Sequence, residues 1–344
     1  MSRKSPESTF ANRIWYERSS WYLPLLPLSW FFALVTAIRR FLYRSGMRRP
    51  IDVGKPVIVV GNIVSGGTGK TPVTMWLAAY LKQEGFQPGI VSRGYGGAAG
   101  DGPLQVSDDS DAGIVGDEPL LMATRSICPV VVHPDRVAAA RSVAGLGCDI
   151  IIADDGLQHY RLKRAFEIAV VDGERGFGNG RLLPAGPLRE PLSRLRSVDR
   201  IMLQGFRNAG AVHRGLADLG YTRFELAVTG VHALQGSKAV ALDAFRDKTV
   251  HAIAAIGNPQ RFFRLLESQG IRVIPHAFAD HAVLSRSELE FGDDLDVLMT
   301  EKDAMKIGKP APLHWWYVAV DLTLGTAAMP NWVTALAADL KRPS

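Results

Sequence analysis

Glycines 66, 67 and 69 stand directly before Lys70 and Thr71 in the run Gly66-Gly-Thr68-Gly-Lys-Thr71, which follows the apolar stretch Val57-Ile-Val-Val-Gly61. A buried strand, a glycine-rich turn and a helix start, in that order, make a phosphate cradle. The glycines let backbone N–H groups converge on anionic oxygens at the helix N-terminus. In such a loop the Lys70 ammonium reaches the β and γ oxygens of a nucleoside triphosphate, and the Thr71 hydroxyl holds Mg²⁺. The full Gly-x-x-x-x-Gly-Lys-Ser/Thr spacing is not met, because Val64 occupies the place of the first glycine.

A loop of this kind works with an acid at the end of a neighbouring apolar strand, and Ile150-Ile-Ile-Ala-Asp154-Asp155 supplies one. Asp154 and Asp155 are the candidate metal ligands, and Glu118 is a third. Alone, the aspartates would also suit a turn or a helix cap. Asp117 and Glu118, in Val115-Gly-Asp-Glu-Pro119, could serve an acceptor hydroxyl or simply favour the dipole of a helix N-terminus. Asp280-His281 follows a later apolar run and could face the first site across a cleft, while His159 after its turn reads equally as structural or functional.

The elements that position these residues alternate. Short apolar β-rich runs at Val57–Val60, Gly89–Ser92, Pro129–His133, Ile150–Ala153, Ile168–Val171 and Arg200–Leu203 are separated by helical stretches. That alternation predicts an α/β, P-loop-type, mostly parallel sheet with helices on both faces. Arg223–Val228 and Trp315–Leu322 read as a two-stranded linker to a smaller C-terminal α/β lobe containing Val250–Ile256, Ile271–Ile274 and Val297–Met299. Asn331–Leu340 reads as a helix returning to the first unit. The expected divisions are 1–49, a membrane-associated segment; 50–228, the P-loop core; 229–318, the second lobe; and 319–344, the return strand and helix.

The net charge of +6 is not spread along the chain. Residues 1–50 hold nine Lys/Arg against two Asp/Glu, so the other 294 residues sum to −1, which argues against a nucleic-acid surface on the globular part. The same segment carries ten of the 29 aromatic residues. Trp21 to Ile38 is uncharged but contains Pro24 and Pro27, so a clean spanning helix is not expected. From Trp30 onward, Phe31, Leu34, Val35, Ile38, Phe41 and Leu42 share one arc and Thr36, Arg39, Arg40 and Arg44 the opposite one. This predicts a helix in the membrane interface, its arginines reaching anionic headgroups, with the following domain on the cytoplasmic side. Two cysteines, Cys128 and Cys148, fit a reducing compartment better than a disulfide scaffold.

Taken together, the chain resembles the tetraacyldisaccharide 4′-kinase family, the lipid A 4′-kinases of Gram-negative bacteria. The stretches that carry the resemblance run in order: Val60-Gly-Asn-Ile, Gly66 to Pro72, Ser92-Arg-Gly-Tyr-Gly96, Gly116-Asp-Glu-Pro119, Asp154-Asp-Gly-Leu-Gln-His159, Gly178 to Pro191, Ile256 to Phe263, Asp280-His281 and Thr300-Glu-Lys-Asp303. The resemblance implies transfer of the ATP γ-phosphate, with Mg²⁺, to the 4′-hydroxyl of a tetraacylated glucosamine disaccharide 1-phosphate, giving lipid IVA. It implies an inner-membrane lipid surface as partner and no nucleic acid. It also implies that Asp117 and His281 act as a dyad on the hydroxyl, with Lys70 as the third catalytic residue. Arg93, Tyr95, Asn179, Arg181 and Arg189 lie in further family motifs and are expected to bind the anionic headgroup or nucleotide phosphates, since the guanidinium fork donates bidentately.

Two other readings compete. A membrane-recruited ATPase of the partitioning type has a similar loop and an amphipathic helix, but it lacks a second lobe carrying a candidate base. A GTP-driven switch is suggested by Thr300-Glu-Lys-Asp303, although Glu301 puts the base-reading spacing off by one residue.

Overall fold

The computed structural model describes residues 10–17, 20–94, 102–126, 128–205, 212, 216, 218–280, 282, 284–307, 311–325 and 329–342. Tyr95 and His281 lie outside the described residues. The chain opens with helices α1 (Phe10–Tyr16) and α2 (Leu26–Arg44). The core follows as β1 (Val57–Gly61), α3 (Lys70–Gln83), β2 (Pro88–Ser92), β3 (Leu104–Val106), α4 (Ala112–Val115), α5 (Asp117–Arg125), β4 (Val130–Val132), α6 (Arg136–Gly145), β5 (Ile150–Asp154), β6 (Phe166–Asp172) and β7 (Arg200–Gln204). The remainder is β8 (Thr222–Ala233), β9 (Ala239–Val240), β10 (Thr249–Ala254), α7 (Pro259–Ser268), β11 (Arg272–Ala277), α8 (Arg286–Leu289), β12 (Val297–Thr300), α9 (Glu301–Ala304), β13 (Trp315–Thr323) and α10 (Asn331–Leu340).

The strands lie in one sheet of order β11-β10-β12-β13-β8-β7-β6-β1-β5-β2-β4-β3, with β9 beside β8. Every residue of β1 and β5 is buried, which a strand meets only when both sheet faces are covered. Ile58 and Val60 face Val73, Leu77 and Leu81 of α3 together with Val333 and Leu336 of α10. Val57 and Val59 face the other way, toward Val137, Ala140 and Val143 of α6. The α10 helix thus packs on the same face of the core as α3.

β1 pairs in parallel with β5, and Val60 stands opposite Asp154. This register brings the turn after β1 and the acids ending β5 to the same edge of the sheet. The two bracketing strands are β8 and β13, which pair antiparallel from Glu225↔Thr323 to Ala233↔Trp316 and carry the sheet into the parallel set β10, β11 and β12.

Pro24 falls in a 3-10 turn at Ser20–Leu25, and Pro27 lies in the first turn of α2, where its missing N–H costs no helical bond. Neither proline breaks α2, so Ser20–Arg44 is long and apolar enough to cross a membrane. Among the residues of α2 only Ser29 is buried, donating to the Leu182 carbonyl at 2.8 Å. Trp30, Phe31, Leu34, Ile38 and Phe41 are all exposed, an apolar face that no part of the described fold covers.

Candidate active site

The glycine-rich turn takes its shape from two positive-φ residues, Gly66 at 103° and Gly69 at 82°. Gly69 caps α3 in the left-handed region and has no room for a side chain: a Cβ there would meet Gln204 Oε1 at 2.7 Å. Asn62, fully buried, ties the turn together through Nδ2 to Thr68 Oγ1 at 2.9 Å and to the Gly66 carbonyl at 3.3 Å. Lys70 and Thr71 then begin α3. In the second lobe Gly257 packs onto the loop, since a Cβ on it would come within 2.6 Å of the Gly67 nitrogen.

Asp154 is almost fully buried and accepts hydrogen bonds from Thr74 Oγ1 at 3.2 Å and Ser92 Oγ at 3.4 Å. Burial, followed by the negative charge of Glu118, pushes its pKa up to about 7. Asp155 sits at a φ of 48° and turns its carboxylate to Arg189 Nη1, 2.9 Å away, and Lys70 Nζ, 3.7 Å away. Burial acts to raise its pKa, but the charges of Lys70 and Arg189 prevail and hold it below the usual carboxylate range.

A cavity of about 780 Å³ joins these groups; Gly66, Gly67, Lys70, Asp154 and Asp155 line one part of it, and Asp117, Glu118 and Asp280 another. Arg93 and Arg189 line it too, as the sequence motifs suggest. A further wall is α2, through Phe32, Val35, Thr36, Arg39 and Arg40. The arginine face of α2, expected to reach headgroups, thus places Arg39 and Arg40 on the cavity itself.

Asp117 and Glu118 occupy the first turn of α5, at the helix terminus, and both line the cavity. Asp117 is buried; its Oδ1 accepts from the Glu118 amide at 2.9 Å, and its Oδ2 stands 3.5 Å from Lys306 Nζ. Glu118 Oε1 accepts from Lys302 Nζ at 2.9 Å.

Asn179 and Arg181 stand away from the cavity lining. The Asn179 amide donates to the carbonyls of Ile14 and Ala185, at 3.2 and 2.8 Å, and its Oδ1 accepts from the Arg181 nitrogen. That side chain is consumed in fastening the 178–188 loop to the N-terminal segment. Arg181 stacks on Tyr22, 4.4 Å from the ring centroid.

Two cavity residues, Arg136 and Glu190, escaped the sequence reading, and His159, read there as equally structural or functional, joins them on the lining. Arg136 is 3 % exposed and donates through Nη2 to the Asp154 carbonyl at 3.1 Å. Burial lowers its pKa to about 10. Burial and the charges of Arg136 and Arg39 bring His159 down to about 4, so its imidazole is neutral near pH 7. Glu190 accepts from the Tyr160 hydroxyl at 2.8 Å, while its Oε1 is buried with no hydrogen-bond partner. The only sequence signal for Arg136 or Glu190 is their place beside recognised motifs.

The residues fit both groups that the loop implies. Thr71 and the carboxylates of Asp154 and Glu118 are hard oxygen donors suited to Mg²⁺, and the raised pKa of Asp154 marks a buried negative charge that a cation would stabilise. Bound there, the ion would offset charge on the nucleotide phosphate oxygens.

A mostly parallel sheet with a phosphate loop after one strand, an acid ending the adjacent strand and a second α/β lobe packed against that loop defines a P-loop nucleotide enzyme of the kinase type. A family model described as "LpxK: Tetraacyldisaccharide-1-P 4'-kinase" matches residues 21–338, and the chain belongs to that family. It is 49% identical over 297 residues to a tetraacyldisaccharide 4′-kinase of Alkalilimnicola ehrlichii, covering 86% of this chain and 87% of that protein. It is 44% identical over 323 residues to the enzyme of the same name from Nitrosococcus oceani, covering 93% and 92% respectively. The crystal structure of LpxK from Aquifex aeolicus in complex with ATP superposes with a TM-score of 0.70 at 28% identity, over 88% of this chain and 95% of that one.

Proposed function

We propose that this chain transfers the γ-phosphoryl group of ATP to the 4′-hydroxyl of a tetraacylated glucosamine disaccharide 1-phosphate, forming lipid IVA at the cytoplasmic face of the inner membrane. One observation carries the reading: the phosphate loop and the membrane-type helix α2 are two walls of the same cavity. An acceptor with four acyl chains does not leave the bilayer, so the sugar must reach the nucleotide beside an element that itself faces lipid. The exposed apolar face of α2 turns outward while its Thr36, Arg39 and Arg40 turn to the cavity, which gives that arrangement.

A neighbouring cavity of about 570 Å³ shares Val35, Arg39, Pro134, Arg136 and His159 with the first and adds Arg48 and Arg161. Together the two have room and positive charge for a two-sugar phosphorylated headgroup. Lys70 and the backbone of the Gly66–Gly69 turn hold the transferred group and stabilise charge on it. Asp117 and His281 act on the acceptor hydroxyl, one orienting and one taking the proton. Residues 229–318 form a lobe that closes over residues 50–228 when both substrates are present.

Purified full-length protein with ATP or GTP, with and without the acyl disaccharide, tests the reading. Phosphate on the lipid with ATP alone supports it. Nucleotide hydrolysis independent of lipid would instead favour a membrane-recruited ATPase.

A further inference from the structure

Lys302 is absorbed by none of the roles above. It sits on the first turn of α9, a turn rigidly mounted in the second lobe. Thr300 caps it by accepting from the Asp303 nitrogen, and the fully buried Asp303 carboxylate accepts from the Ala255 nitrogen at 2.9 Å, at the end of β10. From that mount the Lys302 side chain, 15% exposed, reaches across to the core. Its Nζ lies 2.9 Å from Glu118 Oε1, 3.5 Å from Asp280 Oδ1 and 3.9 Å from Asp117 Oδ2.

All three partners line the nucleotide cavity, and two of them begin α5 while the third ends the segment after β11. A largely buried ammonium needs paired carboxylates, and three carboxylates crowded together need a cation. The core supplies two of the carboxylates, Asp117 and Glu118, and the second lobe supplies the cation and the third, Asp280. A surface ion pair would move freely and be worth little; this one joins two fixed turns at the site itself.

We propose that Lys302 is a positioning residue for the transfer reaction: through Glu118 and Asp280 it fixes the acidic turn of α5 against the segment at residue 280, and so sets where the Asp117 carboxylate stands in the cavity. The inference rests on the kinase reading given above. Lys306, 3.5 Å from the same Asp117 oxygen and 2.8 Å from Asp303, buttresses the arrangement from one turn further on. The phosphate loop has its own lysine, so the loss of Lys302 should spare nucleotide binding and disturb the acceptor half of the reaction.

The test uses the full-length chain with Mg·ATP and tetraacyldisaccharide 1-phosphate in mixed micelles, comparing Lys302→Met, Lys302→Arg, Glu118→Gln and the Glu118→Gln/Lys302→Met pair. Displacing a catalytic group by about an ångström costs on the order of 10²-fold, so Lys302→Met should lose about that much in kcat while its ATP affinity holds. Lys302→Arg keeps the charge and should recover at least about a tenth of wild-type turnover. The paired variant should lose less than the product of the two single losses, as residues acting together do. Amide hydrogen exchange should rise over 117–125 in Lys302→Met, a readout independent of turnover.

Wild-type kcat in Lys302→Met, or unchanged exchange over 117–125, would overturn the proposal. If Lys302→Met does not fold, Lys302→Arg decides: no better turnover than an alanine at Asp117 would equally overturn it. Should the wild-type chain fail to phosphorylate the lipid at all, the kinase reading falls while the exchange comparison still judges the docking role.

Discussion

Asp154 and Asp155 are consecutive in the chain and are pushed to opposite sides of the ordinary carboxylate pKa. Asp154 ends β5 inside the sheet edge, where burial and then the charge of Glu118 raise it to about 7. Asp155 takes a positive φ that swings its carboxylate to Lys70 and Arg189, whose charges outweigh burial and lower it. One backbone turn thus produces a buried acid awaiting a cation and a neighbouring acid already balanced by two.

Opposite signs in stability follow. The folded chain binds the Asp154 proton more tightly than the unfolded chain does. Its contribution is full below the unfolded pKa of about 4 and is lost as pH rises through about 7. Asp154→Asn should therefore abolish transfer yet show an equal or higher Tm than wild type at pH 8 without nucleotide. Asp155 contributes above the unfolded pKa, and its share is lost only as pH falls through its depressed value. Asp155→Asn leaves Lys70 and Arg189 without that partner and should cost about 1–3 kcal/mol at pH 8. Thermal melts of both variants from pH 5 to 8 check the pair; shifts of the same sign at pH 8 would contradict the assignment.

Lys70→Ala should lower kcat by about 10²–10³-fold or more, since removing a charge that stabilises the transition state attacks the main source of catalysis in phosphoryl transfer. Initial rates at saturating ATP measure it. Near-normal turnover would take the Gly66–Thr71 turn out of the chemistry.

The two faces of α2 should separate membrane residence from chemistry. Replacing Phe31, Leu34 and Phe41, all exposed, by Ser removes apolar area on the face turned away from both cavities. Each such side chain contributes on the order of 1.5–3 kcal/mol when buried in lipid, so vesicle binding should fall steeply while turnover on detergent-dispersed lipid survives. Arg39→Ala and Arg40→Ala should do the reverse, keeping vesicle binding and raising the lipid KM. Deleting residues 1–49 should combine both defects. Sedimentation with vesicles, beside assays in detergent, distinguishes the classes, and retention of the triple-Ser variant on vesicles would refute the anchor.

How far these residues were legible depended on whether their signal was local. The phosphate turn was readable because three glycines, a lysine and a threonine must be close in sequence to wrap one phosphate, and β1 and β5 because a doubly buried strand is apolar throughout. The face of α2 that meets the protein was not readable. The sequence pattern sends the apolar arc to lipid and the arginines to headgroups, and only the fold shows Ser29 docked on Leu182 with Arg39 and Arg40 on the cavity. Arg136 and Lys302 act across 18 and 184 residues of chain, on Asp154 and Glu118; no motif marks Arg136, and Thr300-Glu-Lys-Asp303 marks Lys302 without showing its partner. Asn179 shows a different limit. A family motif does not say whether its polar residue faces a ligand or, as here, the carbonyls of Ile14 and Ala185.

The dyad is the sharpest remaining test, because it separates a two-lobed kinase from any ATPase confined to the P-loop core. Asp117 is buried in the cavity with one oxygen held by its own helix and the other facing Lys306, so its orientation is fixed before any acceptor arrives. A sugar hydroxyl barely ionises near neutral pH, and a base within reach of it contributes about 10²–10⁴-fold. If His281 takes the proton while Asp117 orients it, Asp117→Ala and His281→Ala should each lower kcat within that range and leave ATP affinity nearly unchanged. The double variant should then be scarcely worse than the poorer single one, because a base without its orienting partner has little left to lose. The measurement is kcat on the lipid disaccharide and the ATP Kd for all three proteins. Losses that multiply in the double variant would mean two independent roles, and full turnover by His281→Ala would remove that histidine from the reaction.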